Sequence, residues 1–359
     1  MSTPSLKTRP LLLALTAFLL ASPLIAQSAP PKVGDGDLQF ANLGSCPLQS
    51  GQKVQECTLG YRTWGKLNPD SSNAILVPMW FTGISSQFAD LIGPGKLLDP
   101  TTFYIIVVDP FADGISISPS NSKSQPRTAF PAVTIHDMVQ AEHRLASETL
   151  HLRHLHAVLG VSMGGMQTFE WMTAFPDFLD LAIPIVGSTR LTSYDLLLWQ
   201  AEEDAVRTDP AWNKGNYQQS PPLPQVSILH DMNLTSPAHY ARSYTRQAFP
   251  AQFQTYFTTG SSTFDANNRL YQLEAMIHHD IAAGGPMEAA AKRVQARVLI
   301  IASQQDHMVN PAPAIEFSKL LNPKTTQLLI LTSDCGHLAP FQCEADKTIA
   351  AVTQFLTQN

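Results

Sequence analysis

The chain has 359 residues, 44% of them hydrophobic and 14% charged, and its 23 Lys and Arg against 29 Asp and Glu give a net charge of −6. That length supports a large core, and an acidic chain without a basic cluster argues against nucleic acid as a partner. High proline (27 residues) with low charge suits a compact exported protein rather than a disordered one.

The first segment reads as a targeting signal rather than as part of the fold. Lys7 and Arg9 precede an apolar stretch, 11–26, broken only by Thr16, Ser22 and Pro23. Ala26-Gln27-Ser28 then supplies small residues suited to cleavage, so residues 1–28 are expected to be a signal peptide. A retained anchor is the alternative, and Pro23 with the small residues behind it speaks for cleavage. No cysteine lies at the cleavage region, which argues against a lipoprotein. Losing Lys7 and Arg9 leaves 21 basic against 29 acidic residues, a net charge of −8. The destination is expected to be secreted or periplasmic, with no membrane partner after cleavage, because no later stretch is long and apolar enough to span a bilayer.

Four cysteines follow, Cys46, Cys57, Cys335 and Cys343. An even number in an exported chain favours two disulfides, with three connectivities possible. The short-range pairing, Cys46–Cys57 and Cys335–Cys343, needs only local hairpins and is the one expected; buried free thiols are the alternative. Neither pair has metal-site spacing, and no metal or other cofactor is expected.

Short apolar runs recur at 74–80, 103–109, 154–160, 181–186, 297–302 and 326–331, with helix-like stretches between most of them, including 135–150 and 312–321. Strands alternating with helices imply an α/β fold with a mostly parallel, doubly wound sheet. The rhythm breaks across 188–292, which holds Trp199, Trp212, Tyr217 and Pro221-Pro222. That region reads as an insertion over the sheet, so the expected organisation is core 29–187, helical lid 188–292 and core 293–359.

The most informative local string is Gly160-Val161-Ser162-Met163-Gly164. A G-x-S-x-G between a strand and a helix is the form of a nucleophile elbow, a turn that holds one hydroxyl clear of the backbone. The pentapeptide alone is weak, and an ordinary glycine-containing turn is the alternative. Its context strengthens it: 155–159 is apolar, and Met166, Phe169 and Met172 recur at three-residue spacing up to the stop at Pro176. A serine hydroxyl also needs a base and an orienting carboxylate. On this architecture they follow the serine as acid and then histidine. Asp306 comes just after the 297–302 strand and His337 just after 326–331, so both leave the same sheet edge as Ser162. The backbone N–H groups of Met163 and of Phe81, which follows the 74–80 strand, are the expected donors to the oxyanion of an acyl-transfer intermediate. His307 would point away from the site, and Asp334 reads as a turn former. His278-His279-Asp280 lacks a third cluster that would make it a metal site. His151, His154 and His156, which precede the elbow strand, are expected to face solvent or its rim.

With those residues in place, the chain resembles the homoserine O-acetyltransferase family of α/β-hydrolase-fold enzymes. The resemblance rests on Tyr61-Arg62-Thr63-Trp64-Gly65-Lys66-Leu67-Asn68, Ser162-Met163-Gly164-Gly165-Met166-Gln167 with Glu170-Trp171, Asp209-Pro210-Ala211-Trp212-Asn213-Lys214-Gly215, and Phe264-Asp265-Ala266-Asn267. It implies the α/β-hydrolase fold, a Ser162, Asp306 and His337 triad, a lid inserted after the 181–186 strand, and a homodimer through that lid. The substrate-reading positions depart from the family. The family's aspartate after the triad histidine is Leu338 here, and the lid arginine of its G-L-x-x-A-R segment falls at Ser227. The family's glycine- and cysteine-rich loop is replaced by 112–119. A homoserine zwitterion would therefore lack both counter-charges. The expected activity is a serine-nucleophile acyl transfer from a small-molecule ester or acyl donor, most simply ester hydrolysis. Transfer to an alcohol is the first alternative and a non-catalytic binding protein on the same fold the second.

Overall fold

The computed structural model describes residues 34–258 and 264–358. The signal peptide expected over 1–28 lies outside the described residues. After β1 (Gln39–Asn42), a small antiparallel pair, β2 (Cys46–Pro47) and β3 (Lys53–Val54), leads into β4 (Thr58–Trp64). The disulfide Cys46–Cys57 ties this pair to the start of β4. Strands β5 (Ala74–Pro78), β6 (Tyr104–Val108), β7 (Leu155–Val161), β8 (Leu179–Ile185), β9 (Arg297–Ser303) and β10 (Thr326–Leu331) complete an eight-stranded sheet ordered β1-β4-β6-β5-β7-β8-β9-β10. From β6 to β10 all pairings are parallel, while β4 runs antiparallel to both β1 and β6.

Successive side chains of a strand face opposite ways, and here both faces are buried. Leu76, Ile106 and Val158 pack on one side, with Met138 of α1 (Ile135–Arg144), Phe169 of α2 (Met163–Ala174) and Phe317 of α9 (Ala312–Leu320). Ile75, Val107 and Leu159 pack on the other with Phe355 of α10 (Ala345–Thr357). This two-sided burial is why the strands read as unbroken apolar runs. The helix expected over 135–150 is α-helical only to Arg144 and closes with a wider π-type turn, Leu145–Thr149. His156, at the start of β7, is half-buried and stacked on Phe103, with Nε2 3.0 Å from the Leu356 carbonyl.

Between β8 and β9 lie α3 (Ser193–Thr208), α4 (Pro224–Leu234), α5 (Pro237–Ser243), α6 (Phe249–Thr258), α7 (Ala266–Ile277) and α8 (Met287–Ala291). No helix among the described residues is long and apolar enough to cross a membrane. Strand β5 pairs with β6 on one side and β7 on the other. The direction of winding therefore reverses between β5 and β7, which opens a crevice at the carboxyl ends of these strands.

One buried group beneath this sheet makes stability depend on pH. Glu142 of α1 accepts a 2.7 Å hydrogen bond from Trp171 Nε1 of α2, and burial pushes its carboxyl up from 4.5 to about 8. Between those two values the folded state keeps a proton that the unfolded chain has released, so stability falls as pH rises through this window. Glu142→Gln is expected to flatten that slope and to stabilise the protein at pH 9 by an amount on the order of a few kcal/mol. Chemical denaturation at pH 5 and pH 9 checks it; equal wild-type and variant slopes would refute it.

Candidate active site

Strand β7 ends at Val161 and α2 begins at Met163, so Ser162 alone makes the turn. Its backbone is left-handed, with φ 57° and ψ −118°, a conformation that costs a non-glycine residue on the order of 1–3 kcal/mol. The turn is over-determined: Ser162 N donates to the Ile185 carbonyl and Met166 N donates to the Ser162 carbonyl, each at 2.9 Å. The flanking glycines are needed for close approach. A Cβ on Gly160 would lie 2.0 Å from the Gly164 oxygen, and one on Gly164 would lie 2.3 Å from the Pro78 oxygen.

Asp306 and His337 arrive from the ends of β9 and β10. Asp306 Oδ1 accepts from the backbone N–H groups of Met308 and Val309, both at 2.9 Å, which aims Oδ2 at His337 Nδ1, 2.7 Å away. His337 Nε2 is 2.9 Å from Ser162 Oγ. An ionised carboxylate can only accept, so the imidazole hydrogen sits on Nδ1 and the Nε2 lone pair faces the serine hydroxyl. The three side chains thus form one continuous hydrogen-bonded chain, with Asp306 and His337 buried.

The loop after β5 is gripped on three sides. The Met79 carbonyl accepts from Gln167 Nε2 (3.1 Å), the Trp80 carbonyl from Gly83 N (3.0 Å), and Thr82 N donates to Gln272 Oε1 (2.9 Å). Because a trans peptide holds C=O and N–H on opposite sides, turning the Trp80 carbonyl toward Gly83 turns the Phe81 N–H away from that turn. Neither the Phe81 N–H nor the Met163 N–H has a hydrogen-bond acceptor among the described residues. Phe81 shares with Ser162 and His337 a cavity of about 430 Å³ whose walls include Trp80, Trp199, Met308 and Leu338. No lysine or arginine is among the described residues that line it. A second, more polar cavity of about 460 Å³, around His136, Glu170 and His279, contains neither Ser162 nor His337.

The other candidates lie apart from Ser162. His307 turns its ring toward Tyr194. Asp334 pairs with Arg242 and, at 3.4 Å, with His239 Nδ1, and Arg242 holds its carboxyl below the usual range. His279 is buried 2.9 Å from the Ser188 carbonyl, His278 is exposed, and Asp280 pairs with Arg190. Cys335 and Cys343 are joined, so the second disulfide brackets His337. Among the described residues the one group of potential metal ligands is His239 with Cys335 and Cys343, and its two sulfurs are bonded to each other.

The inserted helices also send polar groups toward this cavity that sequence reasoning passed over. Gln272 of α7 is one. Glu202 of α3, His230 of α4 and Arg269 of α7 form another set, in which Glu202 Oε1 lies 3.2 Å from His230 Nδ1 and Oε2 lies 3.6 Å from Arg269 Nη1. The available signal was a glutamate inside the buried stripe Leu198, Trp199, Val206 of α3.

The family model described as alpha/beta hydrolase fold matches residues 81–342. An ethyl acetate hydrolase of Pseudomonas veronii is 32% identical over 323 residues, covering 86% of this chain and 92% of that one. A homoserine O-acetyltransferase of Geotalea daltonii is 30% identical over 349 residues, covering 86% and 94%. Among solved structures, that of the acetyl esterase MekB superposes with a TM-score of 0.83 at 30% identity, covering 90% of this chain and 97% of that one.

Proposed function

The chain belongs to the α/β-hydrolase fold family, among homoserine O-acetyltransferases and related esterases, and acts on esters or acyl groups; from that premise we propose that it is an exported serine esterase whose acyl acceptor is water. The observation that carries this reading is the Asp306–His337–Ser162 hydrogen-bonded chain, with distances of 2.7 and 2.9 Å, opening on a cavity with an apolar wall. Ser162 Oγ attacks the ester carbonyl as His337 Nε2 takes its proton, and the imidazolium is stabilised by Asp306. The N–H groups of Met163 and Phe81 receive the oxyanion. Losing one such donor costs about 3 kcal/mol in the transition state. His337 then protonates the departing alkoxide, and water repeats the sequence on the acyl-enzyme.

Two features favour water over homoserine. Leu338 lines the cavity where the acetyltransferases carry an aspartate, and among the described residues no lysine or arginine lines it to hold a substrate carboxylate. Export is supported by the pairing of all four cysteines, since disulfides persist in oxidising compartments. Acetyl-CoA is not available there. The dimer implied by the family would dock on the aromatic ridge of α6, where Phe249, Phe253 and Phe257 stand exposed.

A fluorophosphonate probe is expected to label the wild type and not Ser162→Ala. With p-nitrophenyl acetate and L-homoserine supplied together, free acetate is the expected product. O-acetylhomoserine as the dominant product would overturn the choice of acceptor, and labelling of Ser162→Ala would overturn the nucleophile.

A further inference from the structure

The active-site cavity is bordered by a second histidine to which ester hydrolysis assigns no task. His230 packs against Phe81 (ring centroids 5.7 Å apart) and Trp199 (6.1 Å). Its Nδ1 is turned to Glu202, a fully buried carboxylate. Arg269 stands on the other side of that carboxylate with its guanidinium over the Phe81 ring, 5.1 Å from the centroid. Three helices each contribute one polar group to this arrangement. Burying charge in this way is expensive and gives no packing advantage over apolar side chains of the same size. A role toward the cavity accounts for it.

The orientation of His230 follows from its partner. Glu202 can only accept, so the ring hydrogen lies on Nδ1. In the neutral ring this leaves the lone pair on Nε2, on the ring edge turned away from Glu202. The neighbouring wall is Trp80, Phe81, Trp199, Leu234 and Met308. Among the described residues no donor is hydrogen-bonded to that lone pair, and an acceptor built into a largely apolar wall selects for a ligand that brings its own donor.

We propose that His230 is a specificity-determining residue that accepts a hydrogen bond from a hydroxyl of the substrate, so that the preferred substrate is a hydroxy ester. The proposal rests on the serine-esterase reading above. The hydroxyl can belong to the acyl or to the alcohol portion, and the test separates the two.

Values of kcat/KM, normalised to alkaline hydrolysis rates, would be compared within two isosteric pairs. Ethyl glycolate against ethyl propionate probes the acyl side, and 2-hydroxyethyl acetate against propyl acetate probes the alcohol side. The wild type is expected to favour the hydroxyl member of one pair about tenfold. His230→Phe should erase that preference while holding the apolar member within about threefold and leaving fluorophosphonate labelling of Ser162 unchanged. His230→Gln, whose amide oxygen can accept, should keep part of the preference. Equal rates within both pairs for the wild type, or a preference that survives in His230→Phe, would overturn the proposal. So would an equal loss on both members together with lost labelling, which would make His230 structural. A wild type that hydrolyses none of the four esters and takes no label would instead overturn the esterase reading.

Discussion

Asp306→Asn is expected to lower kcat about 10⁴-fold with little change in KM or in thermal stability. The reason lies in how Asp306 is held. Its Oδ1 accepts from the backbone N–H groups of Met308 and Val309, and only Oδ2 reaches His337. An asparagine in this position satisfies the two backbone donors with its single carbonyl oxygen, which leaves its NH₂ group facing His337 Nδ1. That NH₂ can only donate, so the imidazole must present a lone pair on Nδ1 and carry its hydrogen on Nε2. A protonated Nε2 cannot take the Ser162 proton. The geometry survives while the tautomer is wrong, which separates this variant from one that merely disturbs packing. Steady-state kinetics on a p-nitrophenyl ester, with a melting curve as control, tests it. A loss smaller than tenfold with an unchanged melting temperature would show that His337 is not oriented through Asp306.

What the sequence made legible at this site is local or tied to strand ends. Ser162 announces itself because the elbow needs Gly160 and Gly164 within a few residues of the serine, where the backbones of β5, β7 and α2 crowd together. Asp306 and His337 could be located because apolar runs mark β9 and β10, and residues just past parallel strands share one edge of the sheet. The antiparallel β1 and β4 were harder to read. They lie at the outer side of the sheet, and only part of their length is buried on both faces. The polar groups of the inserted helices could not be placed at all. Gln272 meets Thr82 across 190 positions, and Glu202, His230 and Arg269 come from three helices whose mutual packing no local periodicity encodes. Each is a polar side chain on a buried helix face, a pattern that marks a position as unusual without naming its partner.

Loss of the Cys335–Cys343 disulfide is expected to lower kcat ten- to a hundredfold while changing KM much less. His337 sits in a short turn after β10, and β10 is the edge strand of the sheet, paired on one side only by β9. The disulfide spans eight positions around that turn. Further ties come from outside it. Ser333 N donates to Glu344 Oε2 at 2.8 Å, Ser236 N donates to the Asp334 carbonyl at 3.1 Å, and Asp334 pairs with Arg242 and His239 of α5. Cys335 and Ala339 also pack in the core beside the sheet, and the bridge adds a covalent restraint to the segment carrying His337. The imidazole must hold 2.7 Å to Asp306 and 2.9 Å to Ser162 together, and a misplacement of about 1 Å can cost a factor of about 10². The cavity walls come mainly from other elements, so ground-state binding of an ester should change little. The same bridge closes a loop worth about 2.5 kcal/mol of chain entropy, so some loss of stability should accompany the loss of rate. Cys343 is exposed, which gives a reductant access, whereas Cys46 and Cys57 are both buried. The Cys335→Ser/Cys343→Ser and Cys46→Ser/Cys57→Ser double variants, assayed well below their melting temperatures, therefore make a matched pair. The first should be slow, and the second should turn over at nearly the wild-type rate while melting earlier. An unchanged kcat in the first variant, with absence of the bridge shown by mass, would mean that the non-covalent ties alone hold the base in register.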